Sequence, residues 1–496
     1  MTVVLRPYQQ KVAEEIWSAL DQSGLNTLAV MVTGAGKTKL FAKMTELWSA
    51  SGYETWIFVH RKELLLQASA ALTQLGVPHG LVAPGRPMTR DLVQVASIDT
   101  VLARIKEIGS RLARVRRIVI DECHHIVSAK YRRVLAEMRD ALMLGVTATP
   151  FRLDGAGLGD FFKKIVSGPA MRWMIANGYL TPYVIFNPSA KIDLSKVRKR
   201  AGDYVTGDLV AAVDRQEINE AAVAAYLKWL DGKPTIVFCA SVEHAEHVAE
   251  QFKAAGYRAA SLDGGMGDKE RSDAIKGLGN GRIQVLTSCD IISEGTDIPI
   301  VTGAIMLRPT QSTALYLQQI GRVLRPAPGK TRAVVIDFVD NRKTHGMPDE
   351  ERRWSLQGGV KGMEKAVAAT SCCRYCRAAY VQGPTHCPEC NRSCVRVAKP
   401  TLVKAADAPK PGQVVALPQN YGRDNPPSAS GLAAFTDVEI AAMAFKALLK
   451  IARTKGELER VARIRNYSPK WVDHILSERG GYAGHAGYGH RRAARS

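Results

Sequence analysis

Residues 30–38 carry the groups that a nucleotide phosphate site needs. The apolar run Val30-Met31-Val32 leads into Gly34-Ala35-Gly36-Lys37-Thr38. A glycine-rich loop before a helix exposes backbone N–H groups that can surround phosphate oxygens. We expect Lys37 to reach the terminal phosphates and the hydroxyl of Thr38 to bind Mg²⁺. The full phosphate-loop pattern begins with glycine where this chain has Met31, so the loop alone is an incomplete match.

A pair of carboxylates supplies the second half of that chemistry. Asp121 and Glu122 follow the apolar run 118–120, which is typical of a buried strand. Phosphoryl transfer to water needs a metal on the phosphate oxygens and a group that positions the attacking water. We expect Asp121 to hold Mg²⁺ through its water shell and Glu122 to act as the general base. An exposed acidic turn is the alternative, but the two motifs together predict an ATP hydrolase.

The charge of the chain indicates an anionic partner. Its 496 residues carry a formal net charge of +21 and give a sequence pI of about 9.6. Such a balance favours nucleic acid, although ribosomal and membrane-surface proteins share it. No apolar run approaches the roughly 20 residues that span a bilayer, and residues 1–8 lack a secretory pattern. We therefore expect no membrane partner, a cytoplasmic protein, and cysteines that are reduced or metal-bound.

Alternation of strand and helix patterns predicts the fold. In the first half, short β-branched runs are separated by helical stretches at 37–50 and 61–75. The predicted strands are 27–33, 55–60, 93–97, 117–122 and 142–147, then 235–240, 258–262, 283–288, 301–307 and 331–339. This pattern predicts α/β domains with parallel sheets. The expected organisation is two tandem domains at 1–185 and 190–345, a zinc ribbon at 365–398, a flexible linker at 399–430, a small helical module at 431–480 and a disordered basic tail at 481–496.

Four cysteines have the spacing of a structural zinc site. Cys373 and Cys376 form one pair, and Cys387 and Cys390 form the other. Two such pairs can grip one tetrahedral ion and leave no open position for catalysis. His386 or Cys394 could replace one thiolate, and disulfides are the alternative. The ribbon could contact DNA or a partner protein, or it could only stabilise the domain junction; the basic tail is a second candidate for a protein contact.

The motifs, taken in order, resemble those of superfamily 2 DEAD/DEAH-type helicases. That resemblance covers residues 3–345 and implies two RecA-like domains with ATP and Mg²⁺ bound between them. This family also lacks the first loop glycine. In the first domain the resemblance implies that Arg6 and Gln9 read adenine and that the phosphate loop consists of Gly34, Ala35, Gly36, Lys37 and Thr38. It also implies that nucleic acid is contacted by Arg61, Ser97 and Thr100. The residues implied to couple the ATP site to the nucleic-acid site are His124, Thr147 and Thr149.

The second domain supplies the remaining family motifs. Residues 293–299 resemble motif V, in which Gly295 and Asp297 approach the nucleotide. Residues 318–325 resemble motif VI, in which Gln318 is a coupling residue and Arg322 and Arg325 act as arginine fingers. Two residues three apart on a helix project on nearly the same face, so both arginines can reach one phosphate. A finger of this kind is worth on the order of 10³–10⁵ in rate.

Within the superfamily the chain resembles bacterial RadD and its phage relatives, which are DNA-repair ATPases with a zinc module. DEAD-box RNA helicases have Ala and Asp where this chain has Cys123 and His124. The resemblance implies an ATP-dependent helicase or translocase that acts on single-stranded or branched DNA in repair, recombination or replication. An RNA helicase, or an ATP-gated clamp that hydrolyses little, is the alternative.

Overall fold

The computed structural model describes two units of the chain, residues 1–397 and 398–496. The described residues are 4–150, 157–188, 192–195, 197–200, 203–263, 265–289, 298–357, 369–394, 440, 452, 454–465, 472 and 475. In this part of the chain no helix is both long and apolar enough to cross a bilayer. Residues 293–297 of motif V, which include Gly295 and Asp297, lie outside the described residues, as do the predicted linker and the basic tail.

The first sheet is parallel throughout and has seven strands in the order β3-β4-β2-β5-β6-β1-β7. Its strands are β1 (Thr27–Val30), β2 (Thr55–Val59), β3 (His79–Val82), β4 (Val93–Ser97), β5 (Arg117–Asp121), β6 (Leu142–Thr147) and β7 (Lys164–Ser167). The central strands are buried along their whole length, which explains why they are apolar runs and not alternating ones. The edge strands β3 and β7 were not predicted.

Helices cover both faces of this sheet, as a parallel sheet requires. They are α1 (Pro7–Trp17), α2 (Lys37–Ala50), α3 (Lys62–Gln74), α4 (Ile98–Ala103), α5 (Ile105–Leu112), α6 (Ala129–Leu135) and α7 (Met171–Ala176). A π-helical turn, Ser18–Gln22, extends α1, and a 3-10 turn, Cys123–His125, follows β5. Two clusters of buried apolar side chains form the core, one on each face of the sheet. One cluster includes Phe41 and Trp48, and the other includes Phe58 and Phe162.

The second sheet is also parallel and has six strands in the order β12-β13-β11-β14-β15-β8. Its strands are β8 (Tyr183–Phe186), β11 (Thr235–Phe238), β12 (Ala259–Leu262), β13 (Val285–Ser288), β14 (Gly303–Met306) and β15 (Ala333–Asp337). Strand β8 was not predicted, and it begins two residues before the expected end of the first domain at 185. A short hairpin, β9 (Lys199–Arg200) and β10 (Asp203–Tyr204), precedes the helices.

The helices of this domain and the small elements complete the description. The helices are α8 (Thr206–Val213), α9 (Gln216–Trp229), α10 (Val242–Ala254), α11 (Asp268–Gly279), α12 (Thr313–Val323) and α13 (Asn341–His345). Strands β16 (Thr370–Cys372) and β17 (Ala379–Val381) pair antiparallel in the cysteine-rich segment. In the other unit, helix α14 (Lys455–Arg465) lies within the predicted helical module. The fold is therefore α/β with two parallel-sheet domains and a small ribbon, as the sequence predicted.

Candidate active site and zinc ribbon

The phosphate loop joins β1 to α2, and side chains of α1 hydrogen-bond to it. Gly34 and Gly36 have φ of +89° and +81°, in the left-handed region that favours glycine. A Cβ on Gly36 would lie 2.3 Å from Nε2 of Gln9, so side chains are excluded there. Tyr8 Oη and Gln9 Nε2 each donate to the Ala35 carbonyl over 2.9 Å. Two donors on one carbonyl therefore fix the loop against the start of α1.

Gln9 and Arg6, the expected adenine readers, lie together beside an aromatic group. Gln9 Oε1 accepts the backbone N–H of Arg6 at 2.9 Å, which fixes the orientation of the amide. The Arg6 guanidinium lies 5.1 Å from the ring centre of Tyr179. The Tyr8, Trp173 and Tyr179 rings contact one another, with centres 4.9–6.0 Å apart. Sequence reasoning missed Trp173 and Tyr179 because their segment carries no motif and reaches Tyr8 only through the fold.

The carboxylate pair lies where β5 ends. Glu122 has φ 47° and ψ 53°, a left-handed conformation that is rare for a side chain of this size. Its Oε1 accepts a hydrogen bond from Lys37 Nζ at 3.0 Å, so the loop lysine and the expected general base form an ion pair. Residues with such strained backbone conformations cluster at functional sites. The turn aims the Glu122 carboxylate at the phosphate loop.

Asp121 is buried beside a second carboxylate. Burial, with a smaller contribution from the Glu122 charge, raises the pKa of Asp121 to about 6. Its Oδ1 accepts the backbone N–H of Glu122 at 3.0 Å. A buried carboxylate beside a second carboxylate is stabilised in its ionised form by a nearby metal. Together with the hydroxyl of Thr38, this donor set fits Mg²⁺, which prefers oxygen ligands and retains several waters.

The expected coupling residues surround the other oxygen of Glu122. Thr147 Oγ1 lies 3.4 Å and His124 Nδ1 lies 3.6 Å from Glu122 Oε2. Thr147 Oγ1 also accepts the backbone N–H of Thr149 at 3.2 Å, which links the end of β6 to this carboxylate. The structure therefore brings His124, Thr147 and Thr149 to the expected general base.

Three histidine rings, the first of which lies at this site, contact one another at tilted angles of 42° and 48°. The ring centres of His124 and His125 are 4.1 Å apart, and those of His125 and His60 are 4.3 Å apart. His60 directly precedes Arg61, the residue before α3 and an expected nucleic-acid contact. Ser97 similarly precedes α4, whereas Thr100 lies inside α4 and is buried. Side chains thus connect the DExH segment with the start of α3, a link that sequence spacing could not show.

Motif VI lies against the phosphate loop of the other domain. A Cβ on Gly321 would lie 2.4 Å from Cβ of Thr33, so α12 approaches the loop as closely as glycine allows. A Cβ on Gly34 would lie 3.7 Å from Cγ of Arg325. Gln318 and Arg322 are buried on the same helix. The two sheets therefore enclose one cleft. Arg322 lies in the last turn of α12, but α12 ends at Val323 and Arg325 lies beyond it, so the two arginines do not project from one helical face as the sequence predicted.

Residues 346–357 return from the second domain to the first, and we call them the returning segment. The Gly159 backbone N–H donates to the Leu356 carbonyl at 2.8 Å, and Trp354 and Leu356 pack on the first-domain core. A cavity of about 530 Å³ lies between this segment, Thr33 of the phosphate loop and Leu317 of α12. The returning segment is thus a second connection between the domains.

The four predicted cysteines converge as a metal site requires. The Sγ atoms of Cys373 and Cys390 are 3.6 Å apart, and those of Cys376 and Cys387 are 3.7 Å apart. All four sulfurs lie within 4.8 Å of one another. Zinc–sulfur bonds of ~2.3 Å in a tetrahedron place sulfurs roughly 3.8 Å apart. The set therefore fits one Zn²⁺, and neither His386 nor Cys394 belongs to it.

The two halves of the cysteine cluster repeat one backbone pattern. Arg377 and Asn391 follow the second cysteine of each pair, and both have a positive φ, of 69° and 55°. Their N–H groups donate to the carbonyls of Cys373 and Cys387 at 3.0 and 2.8 Å. This local symmetry is independent of the sulfur distances and supports the same ligand set.

The ribbon is attached to the carboxyl end of β8. Arg377 Nε donates to the Asn187 carbonyl at 2.8 Å, and the Arg377 carbonyl accepts the Asn187 N–H at 3.0 Å. An ion pair of 2.7 Å joins Arg332 to Glu389 of the ribbon. Arg377 therefore joins the ribbon to the second domain.

Two protein-family models match the chain in the regions of the two sheets. The model described as "Type III restriction enzyme, res subunit" matches residues 2–152. The model described as "Helicase conserved C-terminal domain" matches residues 219–327. The first contains the phosphate loop and the carboxylate pair, and the second contains motif VI.

Similar proteins cover the same two domains. A 51.5 kDa protein of a Lactococcus phage is 34% identical over 344 residues, which are 68% of this chain and 72% of the phage protein. IRC3 of Saccharomyces cerevisiae, named as an ATP-dependent helicase, is 29% identical over 68% of this chain. The match spans only about half, 51%, of the yeast protein.

A solved structure shares the fold at low identity. A fragment of an HsdR-type subunit of a type I restriction enzyme from Vibrio vulnificus superposes with a TM-score of 0.55 at 22% identity. The superposition covers 70% of this chain and 67% of that fragment. At this identity the likeness bears on the fold alone.

Proposed function

Because the chain belongs to the superfamily 2 helicases, whose members are nucleic-acid-dependent ATPases, we propose that it is an ATP-dependent DNA helicase or translocase. ATP hydrolysis in the cleft between the two RecA-like domains would drive movement on DNA. The approach of Gly321 to Thr33 carries this proposal, since it joins motif VI to the phosphate loop. Hydrolysis that depends on residues of two domains is coupled to their relative motion.

The site residues have the following proposed roles. Lys37 binds the terminal phosphates, and Thr38 and Asp121 hold Mg²⁺, which neutralises charge on the phosphate oxygens. Glu122 accepts the proton of the attacking water. Its contact with Lys37 at 3.0 Å supports this role, because the same lysine that binds the phosphate lies next to the base. Arg322 and Arg325 stabilise charge on the transferred phosphoryl group when the domains are closed.

DNA is the proposed substrate, in repair, recombination or replication. The net charge of +21 supports a polyanionic partner, and the RadD-like motifs support DNA over RNA. The positions of Arg61 and Ser97 support their proposed contact with the nucleic-acid backbone. Each residue directly precedes a helix, where backbone N–H groups can donate to phosphates. Zinc in the four-cysteine cluster would be structural, since four thiolates complete a tetrahedral ion.

ATP turnover with defined nucleic acids tests the proposal. The purified protein is assayed at moderate salt alone and with single-stranded DNA, duplex DNA, forked DNA and single-stranded RNA. Lys37→Ala and Glu122→Gln are the inactive controls, and both should retain the fold. We expect stimulation by at least one DNA form and little by RNA.

The other outcomes separate the alternatives. Stimulation by RNA alone would identify an RNA helicase, and turnover that is equal in all conditions would refute a nucleic-acid-dependent motor. ATP-dependent DNA binding with negligible turnover would indicate a clamp. Forked substrates with a labelled strand then distinguish strand separation from translocation.

A further inference from the structure

An exposed tyrosine projects from the first pair of zinc-ribbon cysteines between two arginines. Tyr375 lies between Cys373 and Cys376 and is 43% exposed. The guanidinium carbons of Arg374 and Arg392 each lie 4.9 Å from its ring centre. Arg374 belongs to the first cysteine pair and Arg392 follows the second, so folding of the ribbon around the metal site brings them together. We call Tyr375, Arg374 and Arg392 the tyrosine platform.

The charges of the platform are not balanced locally. Within the described residues neither Arg374 nor Arg392 forms an ion pair with a carboxylate. The ribbon acid Glu389 is already paired with Arg332 at 2.7 Å. Two cations beside an exposed ring, without a carboxylate partner in the described part of the chain, are available to contact an anion such as a phosphate.

The platform has a fixed position on the second domain. Its backbone is attached through the bonds of Arg377 to Asn187, at the carboxyl end of β8. All strands of that sheet are parallel, so the loops that follow β14 and β11 lie at the same edge. Ligands of open parallel sheets bind at this edge, and α12, which carries the first part of motif VI, begins directly after the loop that follows β14. A rigid aromatic group there needs little ordering when it binds.

We propose that the tyrosine platform binds single-stranded nucleic acid: an unpaired base takes the place of one guanidinium over the Tyr375 ring, and the two arginines contact the flanking phosphates. This inference rests on the proposed function. Base stacking on an aromatic side chain tolerates every base, because each base has a π-face. Arginines beside the ring add phosphate contacts that carry no sequence information. The platform thus binds a strand without sequence preference.

Substitution of the ring gives the first test. Binding of fluorescein-labelled dT20 and rU20 is measured by anisotropy for the full chain, Tyr375→Ala, Tyr375→Phe and Val381→Ala. Val381 is an exposed ribbon residue, 39% exposed, and is the matched control. Loss of one stacked base, worth ~1–3 kcal/mol, raises Kd about 5- to 160-fold in Tyr375→Ala. Tyr375→Phe keeps the ring and should remain near the original affinity, and the dT20 and rU20 arms show which strand is bound.

Substitution of the arginines gives a test that leaves the ring and cysteines intact. The double variant Arg374→Gln, Arg392→Gln should depend less on salt. The magnitude of the slope of log K, the association constant for the oligonucleotide, against log salt concentration should decrease by roughly 1.4, because each single-strand phosphate contact contributes ~0.7. Zinc content, measured by atomic absorption, should be unchanged in every variant. If Tyr375→Ala loses zinc, the arginine pair decides the question alone.

Two outcomes overturn the proposal in different ways. Equal affinity and an equal salt slope in all zinc-containing variants, with wild-type binding intact, would refute the platform and leave the proposed motor function standing. A wild-type protein that neither binds nor is stimulated by any nucleic acid would refute both. Basal ATP turnover without nucleic acid should be the same in the platform variants, since none of the three residues contacts the ATP cleft residues.

Discussion

Arg271 of the second domain forms an ion pair with Glu63 of the first, with Nη1 2.7 Å from Oε1. Glu63 lies in the first turn of α3, two residues after Arg61, a proposed nucleic-acid contact. Arg271 belongs to α11, on the far side of the domain cleft. The pair therefore connects closure of the cleft with the segment that would follow the strand.

Removal of this ion pair should weaken coupling between the domains. Both side chains are partly exposed, so the pair is worth at most about 1 kcal/mol and the closed state loses roughly 2- to 5-fold in population. We expect Arg271→Ala to lower both basal and nucleic-acid-stimulated turnover by up to that factor, because hydrolysis needs the closed cleft in both cases. Steady-state turnover with and without saturating DNA measures both.

A double-mutant cycle distinguishes the pair from general damage. Glu63→Ala and the double variant should have no larger effect than Arg271→Ala, because all three remove one interaction. Lys269→Ala, a change on the same helix two residues earlier, is the matched control. Additive effects would contradict a direct coupling between Glu63 and Arg271.

The approach of α12 to the phosphate loop gives a steric prediction. In Gly321→Ala the added methyl would lie 2.4 Å from Cβ of Thr33, so the helix must move away. A displacement of about 1 Å at a reacting centre costs on the order of 10²-fold in rate. Turnover should fall by that order, while ATP affinity should change little because the phosphate loop is intact. Turnover and binding of a fluorescent ATP analogue measure the two effects.

A compensating substitution makes this prediction specific. Thr33→Gly removes the Cβ, Cγ2 and Oγ1 atoms that the new methyl would meet. Combined with Gly321→Ala, it should restore part of the lost turnover. Equal losses in the single and double variants would refute steric displacement of α12 as the cause.

The sequence predicted the parts of the site that single segments carry. The phosphate loop and Asp121-Glu122 each follow a strand whose apolar pattern is clear, so their places at the edge of the sheet could be derived. The cysteine spacing likewise predicted the set that converges in the structure. Both sheets are parallel, as alternation of strands and helices indicated.

Contacts between distant segments could not be derived in this way. The contact between the His60 and His125 rings, the Arg271–Glu63 pair and the returning segment each depend on how two elements pack. Strands β3, β7 and β8 have only four residues each and lie at sheet edges, where exposure dilutes the apolar pattern. Trp173 and Tyr179 lie near Arg6 only because the segment after β7, which contains α7, packs against the start of α1.

Removal of zinc should detach the ribbon from the second domain. Without the metal, four thiols replace the bonds that hold the two cysteine pairs, and the Arg377–Asn187 contacts lose their support. Chelation, or Cys376→Ser, should lower the thermal midpoint and increase proteolysis between residues 369 and 394. Zinc content, calorimetry and limited proteolysis measure these effects.

The neighbouring cysteines provide the control. Cys372 and Cys394 are free and lie outside the four-sulfur set. Cys372→Ser and Cys394→Ser should therefore keep one zinc per chain and the original protease resistance. Loss of zinc from Cys394→Ser would contradict the ligand set assigned to the ribbon.

Buried His244 should make the second domain less stable in acid. Its Nδ1 accepts the backbone N–H of Ala240 at 3.3 Å, which requires a neutral ring. Burial lowers the pKa of His244 to about 4, against the attraction of Asp214. Because the unfolded chain binds more protons between pH ~6.5 and ~4, the unfolding free energy should fall as pH falls through this window, by at most about 3 kcal/mol.

Comparison of His244→Asn with His247→Asn checks the sign of this effect. Asparagine places an acceptor near the position of Nδ1 but does not titrate, so the thermal midpoint of His244→Asn should depend less on pH between 6.5 and 4. His247 is exposed, and its hydrogen bond to Asp214 raises its pKa, so it favours the folded state in acid. His247→Asn should consequently steepen the loss of stability in acid. The substitution removes the titrating ring. If the pH dependence of the thermal midpoint is nevertheless unchanged in His244→Asn, groups other than His244 cause the acid sensitivity.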